Sequence, residues 1–253
     1  MNKRTATILE MLHTQQEVSI RDLASRFGVS EMTIRRDVAG LEKQGILVRR
    51  CGRKSTGKLW LTEESISCNQ SESPAKNAIG RLAASLVKPG QTIMVDSGST
   101  VLAVARYLPQ NLETTVVTTS LCVAQELYGS SMDVILLAGI LRKEFPGVCG
   151  PLTEMLVSDF HADVGFVGCD GANSQDGFYM ADINVFNLQH LMIRAAECVV
   201  VVTESSKFRQ RSFVRYATPR DVHIVLTDPG LSVLDRSNLE QRGVKVMVAG
   251  ETV

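Results

Sequence analysis

Five short polar runs hold most of the side chains in this sequence that could bind a small molecule. Each follows within three residues on an apolar, β-rich run. Asp96-Ser97-Gly98-Ser99-Thr100 stands behind residues 92–95, Thr118-Thr119-Ser120 behind 115–117, and Gly139 behind 134–137. Asp170-Gly171 follows 164–167, and Glu204-Ser205-Ser206-Lys207 follows 199–202. Ligands of open parallel sheets collect at the carboxyl ends of the strands, so these positions are where a site would form. Hydroxyls, the carboxylates of Asp96 and Asp170 and the ammonium of Lys207 suit a small polyol or a sugar phosphate. A helix starting within residues 97–100 would add backbone N–H groups and the positive end of its dipole. Any one of these runs is ordinary turn and cap chemistry. Five of them on one sheet edge make a ligand site.

A second group of residues suits a polyanion. On a helix beginning at Ser30, Ile34, Val38 and Leu41 share one face, and Met32, Thr33, Arg36 and Gly40 share the other. The first face is core and the second is free to enter a DNA groove, with Ser30, Thr33, Arg35 and Arg36 at bases and flanking phosphates. Five of the ten residues 49–58 are Lys or Arg, so Arg49, Arg50, Arg53 and Lys54 would hold the phosphate backbone from a hairpin wing. Asp37 and Glu42 read as solvated, or as paired with Arg35 or Lys43, rather than as functional.

The elements that position these residues follow from periodicity and punctuation. A first helix spans about residues 4–13 with Ile8, Leu9 and Leu12 buried. Ser19 caps a second helix whose apolar stripe is Leu23, Ala24 and Phe27, and Gly28 ends it. Ser30 caps the third, with Glu31 in its first turn. Residues 46–50 and 59–61 then read as a β-hairpin around a turn-prone 51–57, with Trp60 packing the wing on the helices. Residues 62–74 are polar, acidic and poor in apolar side chains, as an interdomain linker is. From residue 75, seven short apolar runs alternate with helical stretches: the five above, then 224–226 and 245–248. This indicates an α/β domain with a largely parallel sheet covered on both faces. The division is therefore 1–61 for DNA binding, 62–74 for the linker and 75–253 for effector binding.

Charge separates along the same line. Residues 1–58 hold 12 Lys and Arg against 6 Asp and Glu, and the rest of the chain holds 15 against 21. A basic head on an acidic body is what phosphate neutralisation by one module would produce. The cysteines at 51, 68, 122, 149, 169 and 198 form no CxxC and stand with no His at zinc-ligand spacing. They read as reduced thiols of a cytoplasmic protein with no metal and no cofactor. The four histidines have no partner at catalytic spacing and are assigned no role. No signal segment and no apolar run of about 18 residues is visible, so no membrane partner is expected.

With these residues in view, the chain resembles the DeoR family of bacterial transcriptional regulators over nearly its whole length. Asp22-Leu23-Ala24, Phe27-Gly28-Val29-Ser30, Thr33-Ile34-Arg35-Arg36-Asp37, Leu41-Glu42 and Gly45 stand at the family's positions. Further along, Asp96-Ser97-Gly98-Ser99-Thr100, Thr119-Ser120, Gly139, Gly150-Pro151 and Ser206-Lys207 match its ligand loops. The resemblance implies a winged helix-turn-helix repressor whose effector domain is similar in fold to ribose-5-phosphate isomerase and glucosamine-phosphate deaminase. It implies operator DNA and a sugar-phosphate or sugar-derived effector as partners, and a homo-oligomer, dimer or tetramer. Two departures stand out. Cys51-Gly52-Arg53 replaces the family's common His-Gly-Gly in the wing, and Asn187 and Gln189 align where a glutamate and a basic residue are frequent.

An enzyme reading competes, a phosphosugar isomerase or deaminase with an accessory DNA-binding head. Asp170-Gly171-Ala172 is similar to the isomerase loop, but Asn173 stands in place of its second acid. A purely architectural DNA binder would not need a C-terminal domain of this size.

Overall fold

The structure, a computed structural model, describes residues 4, 5, 7, 8, 11, 18–43, 47–49, 58–61, 73–142 and 146–251, with the backbone alone over 40–43, 47–49 and 58–61. Its contacts divide the chain into two compact units, residues 1–70 and 71–253.

In the first unit Arg4, Thr5, Thr7, Ile8 and Met11 are helical, and Ile8 and Met11 are buried. Leu9 and Leu12 lie outside the described residues. After β1 (Val18–Ser19), α1 (Ile20–Phe27) begins where the Ser19 hydroxyl accepts the Asp22 N–H at 3.0 Å. It ends at Gly28, whose φ of 63° is the left-handed geometry a glycine adopts without strain. Ser30 then accepts the Thr33 N–H at 3.2 Å and starts α2 (Glu31–Lys43). Ile34 and Val38 face inward onto Ile8, Leu23 and Ile20, while Met32 is 67% exposed on the other side. The turn of α1 into α2 is therefore a helix-turn-helix with its apolar face closed and its second helix open to solvent.

The wing has one more strand than the sequence reading expects. β2 (Leu47–Arg49) and β3 (Lys58–Leu61) pair antiparallel with Val48 opposite Trp60, and β1 joins the free edge of β3 with Val18 opposite Leu59. Two residues are too few to show alternation, so β1 leaves no signal of its own. Arg50, Arg53, Lys54, the rest of the wing tip, the side chains of Arg49 and Trp60, and the linker up to residue 72 lie outside what is described.

The second unit opens with α3 (Pro74–Ala84), capped by Ser73. A seven-stranded, fully parallel sheet follows, built from β4 (Thr92–Val95), β5 (Thr115–Thr118), β6 (Asp133–Leu136), β9 (Ala162–Val167), β12 (Ala196–Val202), β14 (Ile224–Thr227) and β15 (Lys245–Val248). Its order is β15-β14-β12-β9-β4-β5-β6. Burial explains the runs: Val200, Val201 and Val202 are shut off from water on both faces of β12, as is Phe166 in β9. Helices α4 (Ser99–Tyr107), α5 (Leu121–Leu127), α6 (Pro151–Ser158), α7 (Phe186–Ala195) and α8 (Val233–Glu240) connect the strands.

Two smaller pieces were not foreseen. One is the hairpin β7 (Ile140–Leu141) with β8 (Val148–Cys149); the other is the antiparallel sheet of β10 (Gly171–Asn173), β11 (Gly177–Met180) and β13 (Val214–Ala217). The thiols of Cys149, Cys169 and Cys198 are free.

Candidate functional site

The chain enters the sheet at β4, builds outward to β5 and β6, and returns on the other side of β4 through β9 and β12. The order thus reverses between β4 and β9, the place where open sheets part their loops and admit a ligand. The five polar runs read from the sequence end five adjacent strands around this point.

Asp96 lies at the switch and is 1% exposed. Its N–H donates to the Phe166 carbonyl at 3.0 Å, joining β4 to β9. Its carboxylate accepts from the Gln189 amide of α7 and, at 3.4 Å, from the Gly168 N–H. Burial pushes its pKa up, only partly offset by the Gln189 and backbone hydrogen bonds and by the positive charge of Arg142. Asp96 therefore organises the loop from within. Next to it Ser97 faces outward, and its hydroxyl accepts from Arg142 Nη1 at 3.2 Å. Gly98, at φ 148°, opens α4 with no side chain capping the first turn, and Ser99 and Thr100 are half-buried at that helix start. The N–H groups of such a turn point at whatever anion sits there.

Arg142 is a functional candidate that sequence reading missed. It follows β7, is 12% exposed, and its Nη2 is 3.1 Å from Asp182. Asp182 also accepts from the Asn184 N–H and side-chain amide at 2.9 and 2.8 Å. Burial would raise its pKa, but the Asn184 bonds and Arg142 outweigh that, and it lies below the usual carboxylate range. The guanidinium thus spans from the β4 loop to the segment after β11, over the strand ends. The signal that could have found it is its position three residues after Gly139, in the same strand-end loop.

The remaining candidates divide. Thr119 is buried with its hydroxyl unpartnered among the described residues, and a Cβ on Gly147 would come 3.0 Å from its carbonyl. The Ser120 hydroxyl is used as the cap of α5, accepting from Val123 N–H at 3.3 Å. Gly139 is a packing position: a Cβ there would stand 1.9 Å from Thr153 Oγ1. Gly171 is another, with Gln210 O at 2.6 Å. Asp170 accepts the Ala181 N–H at 2.8 Å, which fixes the chain just before Asp182. Lys207 and Asp170 both act on the Cys169 thiol, which burial pushes up to about 12, so all three share one corner. Glu204 turns away to Ser73, at 3.0 Å, and Lys76. Asn187 bonds to Glu154 of α6, and Gln189 to Asp96, so the two departures from the family pattern both face the site's own walls. Among the described residues no group of three or more His, Cys, Asp or Glu could hold a metal ion.

In the first unit, Arg35 and Arg36 are exposed on α2 and Thr33 is half-buried, its hydroxyl 2.9 Å from that of Ser30. Arg35 lies 3.6 Å from Glu31. Asp37 pairs with Arg4 at 2.5 Å, which corrects the expected solvation or pairing with Arg35 or Lys43: on α2 it turns toward the first helix. That buttress leaves Arg36 with its charge uncommitted to Asp37.

The DeoR C terminal sensor domain matches residues 71–229, and the DeoR-like helix-turn-helix domain matches residues 4–56. The chain belongs to the DeoR family. It is 29% identical to a putative aga operon transcriptional repressor of Escherichia coli O157:H7, over 99% of this chain and 94% of that one. It is 29% identical to the glycerol-3-phosphate regulon repressor of Escherichia coli strain K12, over 90% and 91%. Among solved structures it is similar to ribose 5-phosphate isomerase A from Methanocaldococcus jannaschii, at 18% identity and a TM-score of 0.38 over 52% of each chain. No helix among the described residues is long and apolar enough to cross a membrane.

Proposed function

We propose that this DeoR-family protein is a cytoplasmic repressor of a carbohydrate-catabolic operon. It binds operator DNA through residues 1–61 and is released when a sugar phosphate or related sugar metabolite enters the domain of residues 75–253, with 62–74 as the connecting linker. The observation that carries the effector half is the Arg142 bridge from Ser97 to Asp182 over the strand ends. A ligand anion at the uncapped start of α4 would find one guanidinium already aimed there by Ser97, and would compete with Asp182 for it. Asp170 and Lys207 on the neighbouring strand ends supply contacts for the sugar hydroxyls. On α2, Arg36 and Thr33 reach bases while Arg35, Arg49, Arg50, Arg53 and Lys54 hold phosphates. The names of the relatives as operon and regulon repressors support the same reading.

The ionisable groups favour binding over catalysis. Asp96 is shut off from solvent, Asp182 is held ionised by Arg142, and Cys169 keeps its proton. Neither Asp182 nor Cys169 is poised near neutrality as a general acid or base must be. The test is a gel-shift on the DNA upstream of the protein's own and neighbouring genes, titrated with sugars, sugar phosphates and sugar acids. Specific binding abolished by one compound supports the proposal. Turnover of ribose 5-phosphate or glucosamine 6-phosphate, without any specific DNA complex, overturns it.

A further inference from the structure

The sheet ends abruptly at β6. This strand pairs with β5 on one side, and among the described residues nothing pairs with its other edge. Its side chains are uncovered on both faces, with Ile135 37% and Leu136 41% exposed. Soluble proteins blunt such an edge with shortness, charge, proline or a bulge; β6 (Asp-Val-Ile-Leu) is short and carries one charge at its start, but its last three residues are apolar and it has no lysine, proline or bulge. Directly beyond it lie Ile140 and Leu141 of β7, 67% and 64% exposed. The Ile140 side chain rests over Gly150, where a Cβ would come within 3.3 Å of it, and so adjoins the start of α6. There Leu152 and Met155, one helical turn apart, are 49% and 58% exposed. An open strand edge and an apolar rim of this kind mark a surface built to be covered.

We propose that a second copy of this chain covers it, with β6 pairing antiparallel to its own counterpart across a two-fold axis. The unpaired N–H and C=O groups of β6 call for a strand, which is something the same surface on another copy provides. The charge pattern selects the antiparallel sense. With Ile135 on the axis, Val134 faces the other copy's Leu136 and the two Asp133 carboxylates lie at opposite ends, whereas parallel pairing would set them side by side. A two-fold pair is also what a single helix-turn-helix per chain needs in order to read both half-sites of a palindromic operator.

Sedimentation equilibrium on the full chain at micromolar concentration tests this. The wild type is expected to be a dimer or a multiple of one, and the double variant Leu136→Lys/Ile140→Lys to lose half or more of that mass while keeping its circular dichroism. Val233→Lys is the control, because Val233 is 86% exposed on α8 and outside the proposed surface; its mass should equal the wild type's. Ile135→Cys gives a second readout that does not depend on the double variant folding, since cysteines facing each other across the axis should yield a covalent dimer under mild oxidation, beyond what the natural cysteines give. A monomeric wild type, a double variant of unchanged mass, or an Ile135→Cys protein that cross-links no more than wild type would each overturn the proposal.

Discussion

Asp96 and Arg142 are the two side chains whose surroundings make the sharpest predictions. Asp96 is buried against an amide, Gln189, whose Oε1 has no hydrogen-bond partner among the described residues. A flipped Gln189 amide would accept a hydrogen bond from protonated Asp96, so the pocket tolerates the neutral acid better than the carboxylate. Its folded-state pKa is raised, so the folded protein binds this proton more tightly than the unfolded chain does. The associated stability is complete below the ordinary carboxylate pKa and is lost as pH rises through the folded value. Asp96→Asn removes the titration, so its melting temperature should gain on the wild type's as pH is raised from 5 to 8. A gap independent of pH would show that Asp96 does not titrate there. Arg142→Ala should leave specific DNA binding intact and abolish release by the effector, as read in the titrated gel-shift. It leaves Asp182 with the Asn184 bonds but without its cation, a loss of stability measurable by urea unfolding. Retained induction would remove Arg142 from the site.

Among the elements, the β7–β8 hairpin is anchored at its start by Thr153 of α6. Thr153 Oγ1 donates to the Ala138 carbonyl at 2.9 Å and fills the space a Cβ on Gly139 would need. Gly139→Ala should therefore displace Thr153, cost roughly 1–3 kcal/mol as overpacking does, and weaken the effector response through Arg142 on the same hairpin. DNA affinity without effector should be unchanged. The strands themselves were legible because burial on both faces forces continuous apolar runs; residues 92–95 and 245–248 read correctly to the residue. The α1–α2 pair was legible because Ser19, Gly28 and Ser30 act locally, as cap, stop and cap. The Arg142 clamp was not, since its partners Ser97 and Asp182 are 45 and 40 residues away in the chain. The sheet of β10, β11 and β13 stayed hidden for a similar reason. Gly171-Ala172-Asn173 has no strand pattern of its own and is extended because β11 and Gln210 lie against it. On α2, Arg36→Ala should relax sequence preference by the loss of about 1–3 kcal/mol of base discrimination, while Arg53→Ala in the wing should weaken all sequences alike and flatten the salt dependence. Equal, uniform losses in both would dissolve that division of roles.

For the whole molecule, the placement of the exposed apolar residues matters as much as their number. Leu141 precedes Arg142 and Ile183 follows Asp182, and both are more than half exposed, so the ion pair over the strand ends has an apolar residue beside each partner. If a second copy covers β6 and β7 and an effector draws Arg142 from Asp182, ligand and subunit contact act on one short stretch of chain. Reciprocity then requires that whatever effector binding does to subunit association, association does to effector affinity by the same factor. The effector identified by the gel-shift should therefore change the dimer dissociation constant of the wild type in sedimentation equilibrium. The same compound should leave that constant unmoved in Arg142→Ala, which keeps the docking surface and lacks the clamp. An identical shift in both proteins would mean that the ligand reaches the interface by a route other than Arg142, whereas no shift in the wild type would leave DNA release to a rearrangement within each chain.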